Sequence, residues 1–144
     1  EYFTLAAVLI ALSTLVWQTR ESAKQARLQN FATYTGRYQD IMLHLPMSIE
    51  SPTFQLDKLD EEQRETTMRW LRAYFDLCSE EHYLFERKML EKDVWDMWKS
   101  GMAQSMGKPA FKATWDALEG QGYYSEKFVN DVKALRRSPD ALGS

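Results

Sequence analysis

Histidine, cysteine, glycine and proline are scarce in this sequence, and each shortage closes off a class of structure or chemistry. His44 and His82 are the whole supply of imidazole, the side chain that most acid–base sites draw on. A di-iron bundle needs Glu-x-x-His on two helices, whereas Ile41 and Ser79 stand three residues before the two histidines. Cys78 is alone, which excludes an internal disulfide and a metal site built from cysteines. No glycine-rich phosphate loop, Gly-x-Ser-x-Gly turn or calcium loop occurs. Clustered positive charge is also missing. Residues 46–100 hold thirteen acids against eight bases, with a net of +1 on either side. An acidic middle excludes a general nucleic-acid binder, which needs grouped Lys and Arg.

Aromatic residues, in contrast, make up 13% of the 144 residues. Each large ring buries roughly 150–250 Å², which suits a small core, an interface or the headgroup zone of a bilayer. The chain has room for one compact domain and a segment beyond it.

That segment opens the chain. Tyr2 to Trp17 is an uncharged run of sixteen residues, with Tyr2, Phe3, Leu5, Val8, Leu9, Ile10, Leu12, Leu15, Val16 and Trp17 as its large apolar members. As a helix it spans about 24 Å, and Gln18 and Thr19 extend it toward the roughly 30 Å of a hydrocarbon core. Aromatics stand near both ends, the belt expected at the two interfaces. A cleavable signal peptide is a competing reading, but Glu1 precedes the run and Gln18-Thr19-Arg20 follows it, with no small-residue cleavage site. A buried core helix is the other. Residues 1–19 are therefore expected to be a transmembrane anchor, with the lipid bilayer as the first partner. Arg20, Lys24 and Arg27 share one helical face just after it. Through the positive-inside rule they put the N-terminus outside and the remainder in the cytoplasm of a bacterial inner membrane. Ala7 and Ala11 form a small-xxx-small pair that can seat a neighbouring helix.

The rest reads as all-α, a small domain of about five helices. Residues 20–45 continue the anchor as a juxtamembrane helix, residues 46–137 form the cytoplasmic domain, and residues 138–144 are a flexible tail. Phe31, Tyr34, Tyr38, Ile41 and Leu45 recur at intervals of three and four, the seam of a helix laid against a partner. Packing within the chain is the plain reading of that seam; a short coiled coil between two copies, and hence a homo-oligomer, is the alternative. Pro46 ends the helix, and Ile49, Phe54 and Leu56 tack the following loop to the core. Asp60 and Gln63 resemble a capping box for a long helix with the apolar stripe Met68, Leu71, Tyr74, Phe75, Cys78, His82, Phe85 and Met89. Asp93 is expected to cap a third helix that Gly107 stops. Pro109 begins a fourth and Ser125 opens a fifth.

Few residues offer chemistry. His82 and Glu86 are four apart, but no third ligand joins them at metal spacing. Cys78 falls on the apolar stripe and reads as a small core residue. Glu80 and Glu81 read as solvated helix carboxylates. The cluster Trp95, Met97, Trp98 and Met102 is core by default, with an exposed docking surface as the alternative because Met97 points to another face.

The span running into RESAKQARLQNF and the segment VWDMWKSGMAQSMGKPAFKATWDAL resemble an uncharacterised family of small bacterial single-span membrane proteins with a helical cytoplasmic domain. That resemblance implies a fold and a topology, and it brings no catalytic residue. The function expected is a non-catalytic accessory or scaffolding subunit, without cofactor, joined to other membrane-protein subunits of an inner-membrane assembly. A respiratory or photosynthetic complex is one such assembly. The alternative is a tethered ligand sensor that signals through oligomerisation.

Overall fold

From Tyr2 to Leu45 the sequence has no proline and only one glycine, so nothing breaks a helix once it starts. In the computed structural model, which describes residues 2–137, this stretch is one helix, α1 (Tyr2–His44). At 1.5 Å per residue it is about 65 Å long. Four more helices follow: α2 (Glu61–Glu86), α3 (Lys92–Met106), α4 (Pro109–Leu118) and α5 (Glu126–Arg137). No strand occurs among the described residues. The tail 138–144 and the side chain of Tyr2 lie outside what is described.

Local chemistry sets most boundaries. α1 stops one residue short of Leu45, where the ring of Pro46 disfavours helical geometry. Asp60 caps α2, its Oδ1 accepting from the backbone N–H of Gln63 at 2.8 Å. Asp60→Ala is expected to cost about 1 kcal/mol, read as a shift of the urea unfolding midpoint at unchanged slope. Pro109 occupies the first turn of α4, where its missing N–H is harmless. A 3₁₀ turn at Glu119–Gln121 ends on Gly122, whose φ of 73° lies in the left-handed region that glycine enters without strain. The Ser125 hydroxyl accepts from the backbone N–H of Phe128 at 3.2 Å and opens α5.

Two boundaries differ from expectation. α2 ends at Glu86, and Lys88 takes a φ of 58°. Met89 therefore leaves the stripe and is 44% exposed, while Leu90 turns inward. Glu91, not Asp93, is the residue before α3. Asp93 sits in the first turn, where its charge complements the helix dipole and its Oδ1 accepts from the N–H of Val94.

The core gathers where α2 meets α1, α3 and α4, and α5 closes against α3 and α4. Trp115 is its centre. Its ring lies 5.1 Å from Phe75 of α2, 5.4 Å from Tyr124 and 5.7 Å from Phe128 of α5. The lower half of α1 joins this core. Phe31 stacks on Trp98 at 6.1 Å, Tyr34 approaches the same ring at 6.2 Å, and Tyr38 packs on Tyr74 at 6.4 Å. Ile41, Leu45 and Ile49 are buried below them, with Phe54 and Leu56 packed alongside. The seam side chains thus meet helices of their own chain, and the second half of the 20–45 segment belongs to the domain's core.

Candidate functional site

Two features of α1 are left over once the core is built: an uncovered apolar half above the domain and a cavity on the seam below.

Among the described residues nothing buries the upper half. Phe3, Leu5, Val8, Leu9, Ile10, Leu12, Leu15, Val16 and Trp17 are all at least half exposed, Phe3 at 93%. The polar interruptions are muted within the helix, since Ser13 and Thr14 donate to the carbonyl of Ile10 and Thr19 donates to that of Leu15, each at 2.8 Å. Covering one such apolar side chain is worth about 1.5–3 kcal/mol. Leaving nine in water forfeits on the order of 10 kcal/mol, as much as the whole net stability of a typical domain. By length and composition this one helix can cross a membrane.

Below it, Arg20 and Lys24 are exposed. Arg27 reaches the domain, its Nη1 donating to Glu91 at 2.8 Å, and Asn30 donates to the carbonyl of Met89 at 3.2 Å. Those bonds put the turn between α2 and α3 at the end of the domain that faces the apolar run.

The cavity lies between α1, α2 and α3. Its volume is about 350 Å³, and Phe31, Tyr38, Tyr74 and Trp98 bring rings to its lining, with Thr35, Glu81 and Gly101 among the remainder. Glu81 corrects the sequence reading: the carboxylate expected in water is only 6% exposed. Burial pushes its pKa up to about 8, with Arg37 pulling it back and Glu80 adding to the rise. Arg37 is engaged elsewhere. Its Nη1 donates to Glu80 at 2.5 Å, and the Tyr34 hydroxyl donates to the same carboxylate at 3.2 Å, which holds Glu80 below its ordinary range. No described donor hydrogen-bonds Glu81. The Thr35 hydroxyl is buried and also lacks a partner.

No protein family, curated protein or solved structure significantly matches this chain.

The other candidates separate by burial. Trp95 and Met102 are 6% and 2% exposed, so they are core and cannot form a docking surface. Trp95 stacks on Phe85 at 5.1 Å. Met97 is 55% exposed and, with Trp98, lines the cavity; Trp98 is half-buried against the seam. Cys78 is a buried thiol whose pKa burial raises well above the ordinary value, an inert setting. His82 and Glu86 both look across to α5, each toward its own partner. His82 Nε2 lies 2.8 Å from Asp131 Oδ2, and Glu86 pairs with Lys127. Among the described residues no three His, Cys, Asp or Glu side chains gather as metal ligands. The His82–Asp131 contact and the Glu81 cavity escaped sequence reasoning because both depend on which helices become neighbours.

Proposed function

We propose that the protein is a membrane-anchored, non-catalytic accessory subunit, in which α1 spans a bilayer and holds the helical domain beside it. The observation that carries this reading is the apolar half of α1, uncovered by its own domain yet continuous with a helix that enters the core. Hydrocarbon is the solvent that removes its cost. The unbroken helix through Trp17 favours an anchor over a cleaved leader, since cleavage sites follow small residues in extended chain. Arg20 and Lys24 just beyond the run favour a cytoplasmic domain at a bacterial inner membrane. The resemblance to small single-span bacterial proteins belongs to the same proposal.

Among the described residues the first hydrogen bond from α1 to the domain is at Arg27, ten residues beyond Trp17, or about 15 Å of helix. A domain held that close on a stiff rod suits a subunit that docks on a larger membrane assembly. Ala7 and Ala11 then face a neighbouring span, and the domain meets the partner's polar surface.

The double substitution Leu9→Arg, Leu12→Arg tests the anchor. Each arginine at mid-span costs about 2.5–3.5 kcal/mol of insertion, so the variant is expected to leave the membrane fraction while the wild type stays in it. Mild detergent extraction of the wild type, followed by size exclusion and mass spectrometry, is expected to yield a complex with other membrane proteins. Recovery of the wild type in the soluble fraction overturns the anchor, and a lone monomer in mild detergent overturns the accessory role.

A further inference from the structure

We propose that the cavity between α1, α2 and α3 binds a small organic ammonium ion, with Glu81 as its counter-charge and the surrounding aromatic rings as its walls. This goes beyond the accessory role, which does not require a ligand.

The size is right for a small molecule, at about 350 Å³ against a usual range of roughly 300–1,000 Å³. The lining chooses the chemistry. Phe31, Tyr38, Tyr74 and Trp98 bring aromatic rings to the lining, and aromatic walls suit an organic cation. Glu81 is buried and makes no side-chain hydrogen bond among the described residues, and the Arg37 guanidinium is held by Glu80. The charged and titratable groups near Glu81 are Tyr34, Arg37 and Tyr38 from α1 and Tyr74, Cys78 and Glu80 from α2; α3 lines the cavity with Met97, Trp98, Gly101, Met102 and Ser105, none of them charged. An ammonium group supplies positive charge for the carboxylate. A neutral apolar molecule brings the carboxylate no partner, and an anion is repelled by it once Glu81 is ionised.

A proton balance follows. At pH 7 the empty site holds Glu81 mostly protonated, because burial raises its pKa. Binding the ammonium ion stabilises the carboxylate, so the Glu81 proton leaves to solvent and the ligand keeps its own. About one proton is therefore released for each amine bound.

The test uses the full chain in nanodiscs of uncharged phospholipid. 2-Phenylethylamine and its neutral counterpart 2-phenylethanol are titrated calorimetrically at pH 7, each in two buffers of different ionisation enthalpy. The amine is expected to bind with proton release and to perturb tryptophan fluorescence, and the alcohol to bind about 10-fold or more weakly. Glu81→Gln is expected to lose that preference for the amine. Gly101→Leu is expected to abolish binding by filling the cavity; a Cβ there meets no atom within 4 Å, so the domain has room for it. Equal binding of amine and alcohol, unchanged amine binding in either variant, or no binding by the wild type overturns the proposal.

Discussion

Glu81→Gln is expected to make the domain more stable at pH 8 and to flatten its stability profile between about pH 5 and 8. The cause is a carboxyl group buried without a donor, its pKa raised from 4.5 to about 8. Between those values the folded chain keeps a proton that the unfolded chain has released. Wild-type stability therefore falls as pH rises through that window and levels off above it. The whole window is worth on the order of a few kcal/mol. Glutamine has the same shape and no charge to desolvate, so it removes the slope. At pH 5, where the wild-type acid is also neutral, the two proteins are expected to agree within about 1 kcal/mol. Thermal melts by circular dichroism at the two pH values check this, with roughly 4 °C or more expected per kcal/mol for a domain of this size. Parallel profiles for the two proteins would show that Glu81 ionises in the folded state as it does in water.

The second large effect belongs to Trp115. Its ring is completely buried and touches aromatic residues from α2, from α5 and from the turn before α5. Trp115→Ala removes the one side chain that all three share, at an expected cost of about 3–5 kcal/mol. Against a typical net stability of about 5–15 kcal/mol, that is roughly a fifth of the total or more. Trp115→Phe is expected to lose distinctly less. It keeps a ring in the site and deletes an indole N–H that is buried without a partner, whose desolvation itself costs about 1–3 kcal/mol. Urea titrations of both variants decide the matter, and equal losses would mean that the cavity left by alanine is not what destabilises the core.

Much of the fold was legible because helix boundaries are set by neighbours in sequence. Pro46 closes α1, Asp60 caps α2, and Pro109 begins α4 through backbone effects within a turn or so. The apolar stripe of α2 was legible for the same reason: helical periodicity is local. Met89 misled because its spacing fits the stripe, yet Lys88 turns the chain just before it. The Trp–Met cluster divides as its spacing suggests, with Trp95 and Met102 buried in the core and Met97, on a different face, exposed.

Glu81 shows where such reading stops. Beside Glu80 in sequence it looks like one of two solvated acids, and on a helix with one partner it would be. α2, however, is flanked by α1, α3 and α4, so the covered arc widens beyond the apolar stripe to include Leu77 and Glu81. Residues on the flank of a stripe are buried or exposed according to how many helices surround it, a matter of contacts between residues distant in the chain. The sequence by itself determined the helices, their caps and the apolar run, because hydrogen bonding and solvent preference act residue by residue. Tertiary structure alone decided that a buried acid would share a cavity with four aromatic rings, because only packing brings α1, α2 and α3 around one space.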